Sequence, residues 1–317
     1  MRKRFFIILF TLTLLLTGCA QPREAQKIQI VAAIFPEYDW VRQIVGEDDS
    51  VSLTLLVDDG VDPHSFQPAV SDMVAAASCD LLIYGGGESD KWLTKLEATN
   101  PNQKALVLLP LLGEQAYQEE LVEGMEAEEG HDDHDHEAES EMDEHVWLSL
   151  RNASLFCQAI TDALCDLNPA KADVYRANLS AYQQKLSALD GEYQQMVSDA
   201  AKDTIVVCDR FPFRYLVEDY HLNYYAAFPG CSAETGASFE TVVFLSDKVK
   251  ALNLSALLVT ESSDGRLAET VAQNAGKDTM PVLSLNSMQA VSSAEAAHLS
   301  YLSVMTDNLA VLRQALS

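Results

Sequence analysis

A repeated alternation of short apolar runs with helical spacing constrains this chain more than any other feature. In the first part, IQIVAAIF from Ile28, VSLTLLV from Val51, DLLIY from Asp80 and ALVLL from Ala105 are β-branched or aliphatic runs of strand length. Between them, Pro36 to Gly46, Ala69 to Ala77 and the region around Trp92 carry helical spacing or a helix-opening proline. The pattern returns later with TIVVC from Thr204, NYYAAF from Asn223, ALLVT from Ala256 and MPVLSL from Met280. Helical stretches near Phe213, Phe239 and Arg266 separate those runs, and a closing helix is expected from Glu295 to Leu316. Strands that alternate with helices build βαβ units and parallel sheets. Between the two series lie a helix from about Asn152 to Leu167 and a segment opened by Pro169, periodic over nearly thirty positions. At 1.5 Å per residue that segment spans about 45 Å, longer than a small domain is wide. The expected fold is α/β: two lobes with parallel sheets joined by one long rigid helix. The boundaries are a first lobe at 28–167, the linking helix at 168–202 and a second lobe at 203–317.

The first 18 residues read as a secretory signal: Arg2, Lys3 and Arg4, then an apolar run from Phe5 to about Leu16. That run falls short of the ~20 residues of a membrane span. It ends in Leu16-Thr17-Gly18-Cys19, a lipobox-like pattern that marks Cys19 for lipidation and residues 19–27 as a spacer. The mature chain is therefore expected outside the cytoplasm, held at a membrane by its acyl chains. Beside Cys19 stand Cys79, Cys157, Cys165, Cys208 and Cys231, with no CxxC, so neither a disulfide scaffold nor a thioredoxin-like protein is indicated. Whether Cys208 and Cys231 pair is open.

Lys and Arg total 21 against 48 Asp and Glu, and the net charge of −27 argues against nucleic acid or an anionic membrane surface as a partner. Much of the charge is local. Residues 114–144 hold no lysine or arginine, a composition that suits a solvated loop. Within it His131, His134 and His136 make an acidic, histidine-rich tract, whereas His145 lies against Trp147 and Leu148.

Parallel α/β folds place ligands at the carboxyl ends of their strands. After VSLTLLV comes His64, in a loop stiffened by Pro63 and Pro68. Asp209 and Arg210 follow TIVVC, which Cys208 closes, and Glu261 and Asp264 follow ALLVT. Two imidazoles with carboxylate or thiolate partners suit Zn(II). Each residue alone has an ordinary structural explanation; the joint pattern points to metal.

At these residues the chain resembles the zinc- and manganese-type solute-binding lipoproteins of bacterial ABC importers (ZnuA/TroA-like). Asp62-Pro63-His64-Ser65-Phe66-Gln67-Pro68 is similar to that family's first-ligand motif, and His145-Val146-Trp147-Leu148 to its second. The family's usual Asp-Pro after Trp-Leu is here Ser149-Leu150. Its third ligand falls at Cys208 or Asp209 when counted from the strand, and at Arg210 when counted back from Tyr215-Leu216. The resemblance implies a metal-type periplasmic-binding fold and a site of His64, His145, Asp209 (Cys208 second) and Glu261 or Asp264. It implies Zn(II) as transported ligand ahead of Mn(II), an ABC permease as partner, a monomer, and no enzymatic activity. His131, His134 and His136 then form the auxiliary metal loop that zinc-capturing members carry. Rival readings are a zinc hydrolase, for which HExxH and GxSxG are both missing, and an adhesin.

Overall fold

The computed structural model describes residues 27–97, 103–126, 141–232 and 236–317. The expectations for the signal, for Cys19 and for His131, His134 and His136 lie outside the described residues.

The two alternations become two four-stranded parallel sheets. In the first, β1 (Ile28–Ala32), β2 (Val51–Leu55), β3 (Leu81–Tyr84) and β4 (Lys104–Val107) lie in the order β2-β1-β3-β4. Helices α1 (Phe35–Val45), α2 (Val70–Ser78) and α3 (Lys91–Glu97) carry the crossovers. All four residues of β3 are buried, as a strand covered on both faces requires. In the second sheet β5 (Thr204–Phe211), β6 (Asn223–Pro229), β7 (Leu257–Val259) and β8 (Val282–Ser284) take the order β6-β5-β7-β8. The strand order repeats although no sequence repeat is visible. Helices α6 (Arg214–Tyr220), α7 (Phe239–Ala251) and α8 (Arg266–Asn274) link these strands.

Between the sheets run α4 (Leu150–Leu167) and the 28-residue α5 (Ala172–Asp199). Tyr175, Leu179, Tyr182, Leu186, Leu189, Tyr193 and Met196 are its buried residues. Their spacing alternates four and three, which makes one stripe along the helix. The stripe is pinned at both ends. Tyr175 Oη donates to Asp48 Oδ2 at 2.7 Å, and Tyr193 Oη to the Met305 carbonyl at 2.6 Å.

The closing helix divides into α9 (Ser293–Ala296) and α10 (Tyr301–Ala315). The break has a local cause. Arg42 of α1 donates to the carbonyls of Ala296 at 2.7 Å and Leu299 at 2.5 Å, which removes them from a helical ladder. Ser300 caps α10, and the Tyr301 amide donates to Asp39 Oδ2 at 2.7 Å. Tyr301 packs edge-on to Trp40 with centroids 5.2 Å apart, so the last helix docks onto the first lobe. One buried cluster containing Trp40, Phe156, Tyr193, Tyr215 and Tyr301 therefore runs through both lobes.

Candidate metal centre

The loop after β2 presents His64 in a 3-10 turn, Pro63–Ser65. Asp62 Oδ1 accepts from the His64 amide at 3.0 Å, while Asp62 Oδ2 lies 2.5 Å from Arg210 Nη2. A residue of the second lobe thus fixes the loop that aims a first-lobe imidazole. His145 precedes a second 3-10 turn, Val146–Leu148, and is fully buried. Asp143 Oδ1 accepts from the His145 amide and lies 2.9 Å from its Nδ1. A carboxylate at Nδ1 holds the proton there and leaves Nε2 as the coordinating nitrogen. The Trp147 indole donates to the Ser287 carbonyl at 2.8 Å, and Gln289 Nε2 lies 3.2 Å from His145 Nε2.

The His64 and His145 ring centroids are 5.6 Å apart. Two side chains not expected at the site join them: ligand atoms of His64, Glu144, His145 and Cys231 all lie within 4.8 Å of one another. Glu144 Oε1 is 3.2 Å from His64 Nδ1, and its Oε2 accepts from the Ser89 amide and hydroxyl, each at 3.0 Å. Cys231 follows β6, and its amide donates to Glu119 Oε1 at 2.8 Å. Two glycines make the gathering possible. A Cβ on Gly87 would sit 2.0 Å from Glu144 Oε2, and one on Gly230 would sit 2.9 Å from the Phe211 carbonyl and 3.0 Å from His145 Cε1.

Burial, then the neighbouring His145, lowers the pKa of His64 despite the pull of Glu144 and Asp62. His145 is shifted the other way: burial opposes its charge, but Asp143 beside it raises the pKa overall. Burial pushes the Cys231 thiol up, helped by Glu144, Glu119 and Asp143. A cation placed here would meet negative potential from several sides.

The remaining residues expected at the site are engaged elsewhere. Asp209 Oδ2 accepts from the Thr260 hydroxyl at 2.8 Å, and its Oδ1 from the Arg210 amide at 2.8 Å. Glu261 accepts from the Ser287 amide and hydroxyl, both at 2.8 Å, and from the Gln289 amide at 3.2 Å. Asp264 is exposed and accepts from the Arg266 amide at 3.0 Å at the start of α8. Cys208 is packed in the second lobe's core, 2% exposed. Both Cys208 and Cys231 are free thiols. Glu144 had a signal in its position next to His145; Cys231 had one in following a strand, the rule that selected the other candidates.

Residues 30–315 match the family model for ZnuA, described as the periplasmic component A of a zinc-uptake complex. The chain belongs to the ZnuA family. Among relatives of this ZnuA-family chain, the zinc-binding lipoprotein AdcA of Streptococcus pneumoniae serotype 4 (strain ATCC BAA-334 / TIGR4) is 30% identical over 319 residues. That match covers 99% of this chain and 61% of AdcA, so the chain spans about three-fifths of the AdcA length. The high-affinity zinc uptake system protein ZnuA of Bacillus subtilis (strain 168) is 28% identical, over 92% of this chain and 89% of its own. The solved Zn(II)-bound ZnuA-like domain of S. pneumoniae AdcA superposes with a TM-score of 0.70 at 26% identity, covering 92% of this chain and 99% of the domain. The ZnuA-type fold expected from the sequence, two parallel-sheet lobes with a long helix between, is the fold observed.

Proposed function

We propose that this protein captures Zn(II) outside the cytoplasm and delivers it to the membrane permease of an ABC-type importer. The observation that carries the reading is the convergence of four metal-ligating side chains from both lobes, two of them imidazoles, in a buried place beside strand ends. The zinc-binding names of the relatives support the same cargo. His64 and His145 are the core ligands in this reading, with His145 oriented by Asp143. Imidazole donors favour zinc over manganese.

The protein binds and does not catalyse. Catalytic zinc keeps an open position for water, whereas a site with four protein donors is closed. Leu16-Thr17-Gly18-Cys19 supports lipidation at Cys19 as the tether, and the lipoprotein name of AdcA agrees with it. Among the described residues no helix is long and apolar enough to cross a membrane. His131, His134 and His136 gather additional zinc weakly and pass it inward.

The test is metal content after mild purification, followed by competition titration of the wild type and of His64→Ala and His145→Ala. One tight zinc per chain is expected, lost in each variant while circular dichroism stays unchanged. Wild-type affinity in either variant overturns the assignment of that histidine, and a wild type without tight zinc overturns the function.

A further inference from the structure

We propose that Cys231 and Glu144 join His64 and His145 in holding the cargo, in a shell of two imidazoles, one carboxylate and one thiolate, and that the thiolate selects Zn(II) over Mn(II). The inference rests on the zinc-capture reading above and adds two ligands and a basis for selectivity.

Geometry is the first support. The four donor atoms lie within 4.8 Å of one another. Zinc bonds of 2.0 to 2.3 Å place tetrahedral donors about 3.3 to 3.8 Å apart, so an inward movement of about 1 Å completes the shell. Side chains on loops can supply that without a change of fold.

The backbone is arranged to bring these two residues in. Glu144 enters over Gly87, where any side chain would overlap its carboxylate. Ser89 grips one carboxylate oxygen with its amide and hydroxyl, leaving the other beside His64. Cys231 is brought up by Gly230, whose missing Cβ lets the chain pass the His145 ring. The Glu119 carboxylate then anchors the Cys231 amide.

Cys231 is also the one member of the group that comes from the second lobe. Asp209 and Glu261, the second lobe's nearby carboxylates, commit their oxygens to Thr260, Ser287 and Gln289. Arg210 is paired with Asp62. The bond from cargo to second lobe therefore falls to the thiolate. Binding displaces the Cys231 thiol proton to solvent. The resulting thiolate with one carboxylate carries two negative charges, which balance a divalent ion where His145 and Glu144 are out of water.

Sulfur decides which ion. Thiolate is a soft donor that suits zinc, whereas manganese prefers carboxylate, carbonyl and water oxygens. A shell with one thiolate and two imidazoles should discriminate against manganese more sharply than one completed by oxygen.

Cobalt(II) substitution reads the thiolate directly. The cobalt-loaded wild type is expected to show an intense sulfur-to-metal charge-transfer band. Cys231→Ser should remove it and Cys208→Ser should keep it. Cys231→Ser and Glu144→Gln should each weaken zinc by more than the ~10- to 100-fold typical of losing a supporting partner. Cys231→Asp should narrow the ratio of zinc to manganese affinity. In the unmodified protein, zinc should protect Cys231 from alkylation by iodoacetamide, read by peptide mass spectrometry, so the proposal does not depend on any variant folding. Tight zinc binding with no sulfur band and no protection of Cys231 overturns this inference and leaves zinc capture standing. Absence of tight zinc in the wild type overturns both.

Discussion

At the residue scale the candidate site depends as much on what is missing as on what is present. Gly87 and Gly230 leave the volume into which Glu144 and the His145 ring project. Gly87→Ala should expel the Glu144 carboxylate from its seat, because the new Cβ would lie 2.3 Å from the Glu144 Cβ and no rotamer change relieves that. Zinc affinity is expected to fall about as far as in Glu144→Gln, since both take this carboxylate from the ion. Competition titration measures it, and unchanged affinity would show that Glu144 does not need this seat. Gly230→Ala should disturb the site as well, since its Cβ would lie 2.9 Å from the Phe211 backbone carbonyl and 3.0 Å from His145 Cε1, and the backbone must shift to admit it. Asp143 acts one step out. Its carboxylate holds the tautomer of His145, and Asp143→Asn should weaken zinc while leaving both histidines in place.

At the scale of elements, the end of β5 sets where Asp209 and Arg210 point. Val207 pairs with Ala226 and Arg210 with Phe228, so three steps on β5 oppose two on β6. One extra residue in a strand bends it and re-aims the side chains beyond. Here Asp209 is committed to Thr260, tying β5 to the end of β7, while Arg210 reaches Asp62. Glu261 clamps the turn of Ser287 to Gln289, whose members touch Trp147 and His145. In this structure these carboxylates hold the loops beside the candidate centre. Tyr301 on α10 has a similar task, donating its buried hydroxyl to the Trp147 carbonyl at 2.7 Å. Tyr301→Phe should cost about 1 to 3 kcal/mol, the penalty for leaving a buried acceptor unpaired, and denaturant unfolding checks it. The acidic stretch is also more built than its composition suggested. The Glu119 amide donates to the Glu141 carbonyl at 2.8 Å and the Asp143 amide to the Tyr117 carbonyl at 2.9 Å, so the flanks pair with each other. Deleting residues 130–140 should therefore retain the tight zinc site and lose only weak extra binding, as read by zinc titration.

At the scale of the molecule, the proposed shell makes the cargo a bond between lobes. His64, Glu144 and His145 belong to the first and Cys231 to the second. A ligand that binds only the folded state stabilises it by about 2.7 kcal/mol at a free concentration ~100 times Kd. Zinc should accordingly raise the melting temperature, and a chelator should reverse the rise. Scanning calorimetry of Cys231→Ser should show most of the increment gone. The shared core through Trp40, Phe156 and Tyr301 makes one cooperative transition the expected result, with zinc raising it as a whole. Cys19→Ala should release the protein from membranes, and acyl mass on the wild-type N-terminus would support the tether.

The sequence by itself determined what short-range physics decides. Apolar runs of strand length between helical spacings dictate parallel sheets, and the four-three spacing of the Tyr175 to Met196 stripe dictates one long helix. His64 and His145 could be singled out too, because stiff loops and aromatic neighbours mark them within a few residues, and their rings do lie 5.6 Å apart. Which other side chains gather beside them was decided only by tertiary structure. Glu144 and Cys231 stand 87 residues apart in the numbering and meet through the approach of two lobes over glycines that have no local signature of that role. Asp209 sits at a strand end as a ligand would, and a single extra residue in β5 directs it to Thr260. Which way a side chain points after such a bulge depends on the register of two strands, and register is a long-range property that no local pattern carries.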